Sequence, residues 1–253
     1  MTVVLHMMSW EDYLRTPDEP LRPASLHSEG FVHCTADEPT LLAVANAFYQ
    51  EVRQPQVAVQ VETDRLTAPV LFEEAAAEPP GVTAGTRFPH VYGPIDRQAV
   101  VGVLHARRDL DGTYRSFERQ PALAGDLGLL PHPEGGWYRR TWTSPQHVDL
   151  PCGRRATATS ILYLLCDGET SQPHTVASDE LWLWHGPGRV ELMVDEQLVE
   201  LGSPTENLTP QAVVPADAVQ YARAHGDVVV SCVVSPGFDF ADFRVTPAAG
   251  SAR

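Results

Sequence analysis

Residues 168–186 read GETSQPHTVASDELWLWHG, and this stretch decides the fold of the second half of the chain. His174 and Glu180 stand six residues apart inside it, with a glycine at each end. On paired antiparallel strands with a turn between them, this spacing brings both side chains into one barrel interior. Imidazole and carboxylate together suit a divalent transition metal, and they suit a general acid–base pair equally well.

Short apolar strands dominate the sequence on both sides of this stretch. Asp195 and Glu196 join two of them in what we expect to be a tight hairpin. Several short strands at this spacing predict a sandwich or a barrel. The predicted strands are Ser160–Leu165, Glu180–Trp184, Val190–Val194, Leu198–Leu201, Ala212–Val214 and Val228–Val234.

The first half of the chain has a mixed pattern. Asp37 is a candidate N-cap, Pro39 follows it, and apolar residues then recur at helical spacing as far as Val52. Val57, Val59 and Val61 alternate with other residues as in a half-buried strand. Further strands are predicted at Val3–His6, Val70–Glu73 and Val100–His105. The pattern is that of an α+β domain.

A polar stretch broken by Gly112, Pro121 and Gly125 separates the two halves. We therefore predict an α+β domain over residues 1–110, a linker over 111–126 and an all-β domain over 127–247. At 253 residues, the chain is long enough for two cores.

Composition excludes several functional classes. All 18 basic residues are arginine, so a phosphate-loop lysine and Schiff-base chemistry are both absent. The formal net charge of −15 argues against nucleic-acid and anionic-membrane partners. Four scattered cysteines, no signal peptide and no membrane-length apolar run lead us to expect a cytoplasmic protein with reduced thiols.

The stretch from residue 168 to 186 resembles the first cupin motif, with Val176 in place of its second histidine. Residues 215–220 (PADAVQ) resemble the second motif, with Gln220 at its histidine position. Further segments resemble domain-of-unknown-function family 985 within the cupins: HPEGGWYR at 132–139, TSILYLL at 159–165 and SPGFDF at 235–240. This resemblance implies a jelly-roll barrel, usually dimeric, with a pocket for a polar metabolite.

The resemblance also suggests roles for individual residues. His174 is expected to be a base or a metal ligand with Glu180 as its partner, and Tyr138 and Gln220 would position the substrate. Any divalent metal would be held weakly by His174 and Glu180, with Gln220 or His185 completing the site. Arg139 and Arg155 are candidates for substrate binding and, equally, for ordinary ion pairs. Trp182 is a candidate for substrate binding and, equally, for core packing.

The first half resembles domain-of-unknown-function family 952, through His6, the segment GFVHCT at 30–35, Glu73 and the segment FPHVYGP at 88–94. That family is remotely similar to the ADP-ribosyltransferase fold, a split sheet that grips NAD or ADP-ribose. The similarity places three of these residues in a nucleotide cleft, His6, His33 and Thr35. It brings Glu73, His90 and Tyr92 near that cleft.

Three hypotheses about function follow. The preferred one is an isomerase-, epimerase- or lyase-like enzyme that uses acid–base chemistry in the barrel on a nucleotide- or sugar-linked metabolite. The second is ADP-ribosyl or phosphoryl transfer in the first half, around His6, His33 and His90. The third is a metabolite sensor without catalysis. We favour the barrel, because the histidines of the first half have no paired acid at a recognisable spacing, and we expect a homodimer.

Overall fold

The computed structural model describes residues 2–75 and 79–246, which form two compact units divided between Gln120 and Pro121. Residues 1, 76–78 and 247 of the predicted domains lie outside the described residues. None of the described helices is both long and apolar enough to cross a membrane.

The first unit has a four-stranded antiparallel sheet, in the order β1-β3-β6-β7, and a three-stranded sheet, in the order β2-β5-β4. In chain order its elements are β1 (Val3–Ser9), α1 (Trp10–Arg15), α2 (Ala24–Ser28), β2 (Val32–His33), α3 (Glu38–Phe48), β3 (Gln56–Glu62), β4 (Val70–Glu74), β5 (Arg87–Val91), β6 (Val100–Arg108) and β7 (Tyr114–Arg119).

Helix α3 begins where the sequence predicts and ends earlier. The carboxylate of Asp37 accepts a 2.8 Å hydrogen bond from the Thr40 N–H, which caps the first turn. Apolar periodicity continues to Val52, but the helix ends at Phe48. The guanidinium of Arg108 binds the carbonyl oxygens of Gln50 and Val52, so these carbonyls leave the helical path.

Strand β3 is buried on both faces, whereas its alternation predicts burial on one face only. Val57, Val59 and Val61 pack in one apolar cluster with Val4 and Val32. On the opposite face Ala58 packs in a second cluster, which contains Leu5 from β1, Leu41 and Ala45 from α3, and Tyr114 and Phe117 from β7. The small Ala58 side chain leaves room for the helix on a face that the sequence suggests is solvent-exposed.

Residues 111–126, where the sequence suggests a linker, contain regular secondary structure. Strand β7, of six residues, lies within this stretch, with Tyr114 and Phe117 only 1% and 4% exposed beside α3. Helix α4 (Ala122–Asp126) then starts the second unit and buries Ala124 against Leu129 and Trp137. Polar residues between the buried aromatic side chains conceal this strand in the sequence.

The second unit is almost entirely β structure. Nine of its strands form one sheet and two form a separate ribbon, β10-β11. After α4 its elements are β8 (Leu130–Pro131), β9 (Trp137–Thr143), β10 (His147–Leu150), β11 (Gly153–Ala156), β12 (Thr159–Leu165), β13 (His174–Val176), β14 (Asp179–Val194), β15 (Gln197–Leu201), β16 (Gln211–Val214), β17 (Gln220–Ser235) and β18 (Phe243–Val245).

Strands β14 and β17 shape the barrel. Each has 16 residues, and they pair antiparallel along their whole length. Bulges bend β14 near Gly186, so its first half pairs with β16 and its second half with β15. The two strands predicted at 180–184 and 190–194 are therefore one bent strand. Gly188 permits the bend, because a Cβ there would lie 2.5 Å from the Gly226 carbonyl oxygen.

The predicted hairpin at Asp195 and Glu196 is present. Val194 pairs with Gln197, so two residues form the loop, and Asp195 adopts a φ of 52°. Asparagine and aspartate tolerate this left-handed conformation better than other residues with side chains. The sheet curls around a core that includes Tyr163, Trp182 and Leu192.

Candidate functional site

A small cavity of about 30 Å³ lies inside the barrel of the second unit. Because side chains alternate along a strand, inward residues from several strands meet there. The lining combines apolar walls with a few polar groups, and comprises His132, Glu134, Tyr138, Arg140, Thr159, Ile161, Tyr163, His174, Val176, Glu180, Cys232, Val234, Phe238 and Phe243. Such a lining is typical of a small-molecule site.

Glu134 is a buried acid that lines this cavity. It is 6% exposed, and its Oε2 lies 3.2 Å from Nδ1 of His174 and 3.7 Å from Nδ1 of His132. Burial raises the pKa of Glu134 to about 8, against a smaller opposing effect of the Tyr163 hydroxyl. The carboxyl group therefore keeps its proton at neutral pH and is able to donate it.

The ring of His174 is held on two sides. Its Nδ1 donates to the Gln172 carbonyl oxygen at 2.8 Å, and the ring stacks on Phe243 with centroids 5.0 Å apart. Burial lowers its pKa, opposed by the charge of Glu180 and the carbonyl of Gln172. The neutral ring then presents Nε2 as a lone-pair acceptor, and no described residue hydrogen-bonds to that atom.

Glu180 is locked by its neighbours. Its Oε2 accepts a 2.5 Å hydrogen bond from Nε2 of Gln220, and Oε1 of Gln220 accepts one of 3.0 Å from the Trp182 indole. Burial raises the pKa of Glu180, while His174 and Gln220 act in the opposite direction. Gln220 itself is 1% exposed and lies behind Glu180, outside the cavity lining.

The cavity does not fit a metal ion. Val176 supplies no ligand atom, the only oxygen of the Gln220 side chain is used by Trp182, and Nδ1 of His132 faces the N–H of Glu134. Over residues 2–75 and 79–246, no three His, Cys, Asp or Glu side chains are grouped to hold one. The expected site of His174 and Glu180, with Gln220 or His185, is therefore not assembled.

Two further predicted site residues, a substrate-binding candidate and a metal-ligand candidate, lie elsewhere. Trp182 faces inward but packs in the core beside Tyr163, at a ring distance of 6.1 Å. His185 is exposed and bonds Ser231 at 2.7 Å, outside the cavity.

Both predicted arginines are also outside the cavity. Arg139 points away from it and donates to the Leu127 carbonyl oxygen, because the inward positions of β9 are 138 and 140. Arg155 lies on the ribbon β10-β11 and forms a 2.6 Å ion pair with Asp242. Its sequence neighbourhood gave no sign of this partner, which is 87 residues away.

Several polar lining residues were not among the predicted site residues, including His132, Glu134, Arg140 and Tyr163. His132 and Glu134 lie in the HPEGG segment, which carries part of the family resemblance. That segment was the feature of the sequence from which they could have been predicted as site residues. Arg140 lies two residues after Tyr138 on β9, and Tyr163 lies two residues after Ile161 on β12, so each pair faces the same side of the sheet. Counting alternate positions from Tyr138 would have selected Arg140 over Arg139.

The first unit contains a larger cleft, of about 1390 Å³. It brings together all six residues that the sequence suggested there: His6, His33, Thr35, Glu73, His90 and Tyr92. His90 does have a paired acid, contrary to the sequence-based argument. Strand pairing sets it beside Glu73, whose Oε2 lies 2.8 Å from both His90 Nδ1 and the Tyr92 hydroxyl.

Comparison with known proteins gives two family matches. The model described as "Cupin superfamily (DUF985)" matches residues 122–246, and the model described as "Protein of unknown function (DUF952)" matches residues 6–103. No curated protein matches the chain.

Among solved structures, a hypothetical protein from Leishmania major is 30% identical, with a TM-score of 0.44 over 50% of this chain and 88% of that one. A protein from Shewanella oneidensis is 31% identical, with a TM-score of 0.44 over 50% and 85%. A cupin-like protein from Thermotoga maritima is 8% identical, with a TM-score of 0.35 over 46% and 80%.

Proposed function

The chain belongs to the Cupin superfamily (DUF985) over residues 122–246 and to the DUF952 family over residues 6–103, and from the cupin barrel we propose its function. The barrel binds a small polar molecule and moves a proton within it. Glu134 acts as the acid and His174 as the base. This extends the general capacity of cupin barrels for small-molecule binding or catalysis to a particular set of residues.

The contact between Glu134 and His174 carries the proposal. The two side chains are 3.2 Å apart, both are nearly solvent-free, and both line the same cavity. Burial favours the neutral form of each, so a proton donor and a proton acceptor coexist near pH 7. A buried acid with a raised pKa beside a neutral base is the arrangement that general acid–base catalysis requires.

The size of the cavity limits what enters it. A cavity of about 30 Å³ has room for roughly two water molecules or one small functional group. The reacting group of the substrate therefore occupies this cavity, which Glu134 and His174 both line, and the rest of the molecule stays at the opening. Arg140 lines the cavity with its guanidinium 5.8 Å above the Phe238 ring, and suits an anionic group on the substrate.

Isomerase-, epimerase- or lyase-like chemistry is our preferred version. All three reactions transfer a proton at a carbon atom next to an electron-withdrawing group, and the neutral acid–base pair supplies both halves of that transfer. Tyr138 lines the cavity beside His132, with ring centroids 4.5 Å apart, and is positioned to orient the substrate.

Solvent exchange tests the proposal. The purified full-length protein is incubated in D₂O with small ketoses, aldoses and their phosphates, and deuterium at carbon is followed by NMR. We expect incorporation with the wild type and a loss of about 10²- to 10⁴-fold in His174→Gln and in Glu134→Gln.

The matched control is His185→Gln, because His185 is a histidine of the same unit that faces outward. It should exchange at the wild-type rate. Binding without exchange in the wild type would contradict the catalytic proposal and support the sensor hypothesis. Exchange that survives in both cavity variants would show that these two residues are not the acid and the base.

A further inference from the structure

Two buried polar atoms in the cleft of the first unit lack a partner. His6 is 6% exposed and Thr35 is 4% exposed, and both line the cleft. Neither His6 Nε2 nor Thr35 Oγ1 has a hydrogen bond within the described part of the chain. Leaving such groups unsatisfied costs stability, so each needs a physical explanation.

The hydrogen-bonding character of His6 is fixed by its other nitrogen. Nδ1 lies 2.8 Å from the His33 carbonyl oxygen, and a carbonyl only accepts, so Nδ1 carries the proton. Burial lowers the pKa of His6 to about 4, so the ring is neutral near pH 7. Nε2 is consequently a pure acceptor, and a ligand that satisfies it must bring an N–H or O–H donor.

Aromatic faces lie along the same cleft. Phe31 stacks on His90 with centroids 4.2 Å apart and an interplanar angle of 29°. The rings of His33 and Tyr92 approach Phe31 at 4.8 Å and 5.4 Å. Such a group of rings favours a planar ligand, and its π faces attract a positive charge.

The charge of the cleft points in the same direction. Among the described residues, six carboxylates line it and only two guanidinium groups, those of Arg15 and Arg22. Arg15 is already paired with Asp12 at 2.9 Å. The acidic residues are Glu11, Asp12, Glu19, Glu29, Glu73 and Glu74. A diphosphate, which the expected NAD or ADP-ribose would carry, meets repulsion here.

We propose that this cleft is a second ligand site, separate from the barrel, and that it binds a small planar cation with N–H donors, such as an amidine, a guanidine or a protonated heteroaromatic amine. The ligand donates to His6 Nε2 and Thr35 Oγ1, and its positive charge is balanced by Glu73. Tyr92 and His90 hold Glu73 in place through its Oε2.

A matched pair of probes tests the charge preference. Benzamidine and benzoate have the same ring and nearly the same size, but only benzamidine is a cation with N–H donors. Calorimetric titration of the full-length protein should show binding of benzamidine and none, or at least tenfold weaker binding, of benzoate. Absence of benzamidine binding, or equal or tighter binding of benzoate, overturns the proposal.

Variants then locate the site. Thr35→Val is nearly isosteric and removes the unpartnered hydroxyl. We expect it to weaken benzamidine by about three- to tenfold, and to melt without ligand at the wild-type temperature or slightly above. Glu73→Gln should weaken benzamidine by at least tenfold.

His27→Ala is the matched control, because His27 is an exposed histidine of α2 that does not line the cleft. It should bind benzamidine like the wild type. Full affinity in Thr35→Val, whose fold the melting curve verifies, would place the ligand elsewhere and overturn the assignment.

Discussion

Gln220 donates a 2.5 Å hydrogen bond from Nε2 to Oε2 of Glu180, deep in the barrel wall. In the cupin motif that the sequence resembles, position 220 holds a histidine that ligates metal. Here the amide holds the carboxylate, and its own oxygen is satisfied by the Trp182 indole. One substitution thus replaces a metal ligand with a group that positions a buried acid.

Restoring the motif should create a metal site. The double variant Val176→His, Gln220→His supplies the two missing imidazoles beside His174 and Glu180. After incubation with Ni²⁺ and dialysis, we expect close to one metal per chain in the double variant and much less in the wild type, by elemental analysis. Adding His174→Ala to the double variant should remove most of the metal. Stoichiometric metal in the wild type would contradict our description of the cavity.

Gln220→Leu should destabilise the second unit strongly. It removes the Gln220 hydrogen bond to the buried Glu180 carboxyl and leaves the Trp182 N–H without a partner, at a cost of about 2–5 kcal/mol in the free energy of unfolding. Urea denaturation measures the loss. Gln211→Leu, at an exposed position of β16, is the control and should change stability by about 0.5 kcal/mol or less. Equal effects of the two variants would mean that the buried hydrogen bonds contribute little.

Glu134 should make stability depend on pH. Its carboxyl has a pKa of about 8 in the folded protein, against an ordinary value of 4.5. The folded state therefore holds this proton more tightly than the unfolded chain does. The bound proton stabilises the folded state fully at low pH, and this stabilisation is lost as pH rises through about 8. The free energy of unfolding is measured by urea denaturation for both proteins. As pH rises from 4.5 to about 8, the value for Glu134→Gln should increase by a few kcal/mol relative to that of the wild type.

The control for this pH effect is Glu196→Gln, in the exposed hairpin loop, which should follow the wild-type curve. A constant difference between Glu134→Gln and the wild type across that pH range would show that Glu134 titrates normally.

The second unit should fold without the first. Its sheet and its core cluster are formed by residues after Pro121. A polypeptide of residues 121–253 should therefore give a β-rich circular dichroism spectrum and a single cooperative thermal transition. Aggregation, or a spectrum without β structure, would show that the unit depends on the first half.

Homodimerisation remains a prediction. Leu198 on β15 and Val213 on β16 are large apolar side chains that are 54% and 60% exposed. Both strands pair only with β14 among the named strands of the described chain, so they offer edges to a second copy. Light scattering should report about twice the chain mass of 27.7 kDa. Leu198→Glu with Val213→Glu should give the monomer mass; a monomeric wild type would refute the prediction.

The sequence by itself determined the local elements and the class of each unit. Period-2 alternation, turn residues such as Asp195, and the Asp37 cap are read from neighbours in the chain, since side-chain direction repeats along a strand or helix. It also brought His174 and Glu180 to one interior, because their strands are joined by a short turn. Where burial on both faces broke the alternation, as at Ala58, the expectation of a half-exposed strand was wrong.

Only the tertiary structure decided which polar groups meet. Glu134 reaches His174 across 40 residues, and Glu73 reaches His90 through the register of β4 on β5. Such contacts depend on strand register and on sheet closure, which local spacing does not encode. Burial then fixes their chemistry. In the unfolded chain the Glu134 carboxyl is in water and has an ordinary pKa. Only its removal from water in the folded protein makes Glu134 a proton donor near neutral pH.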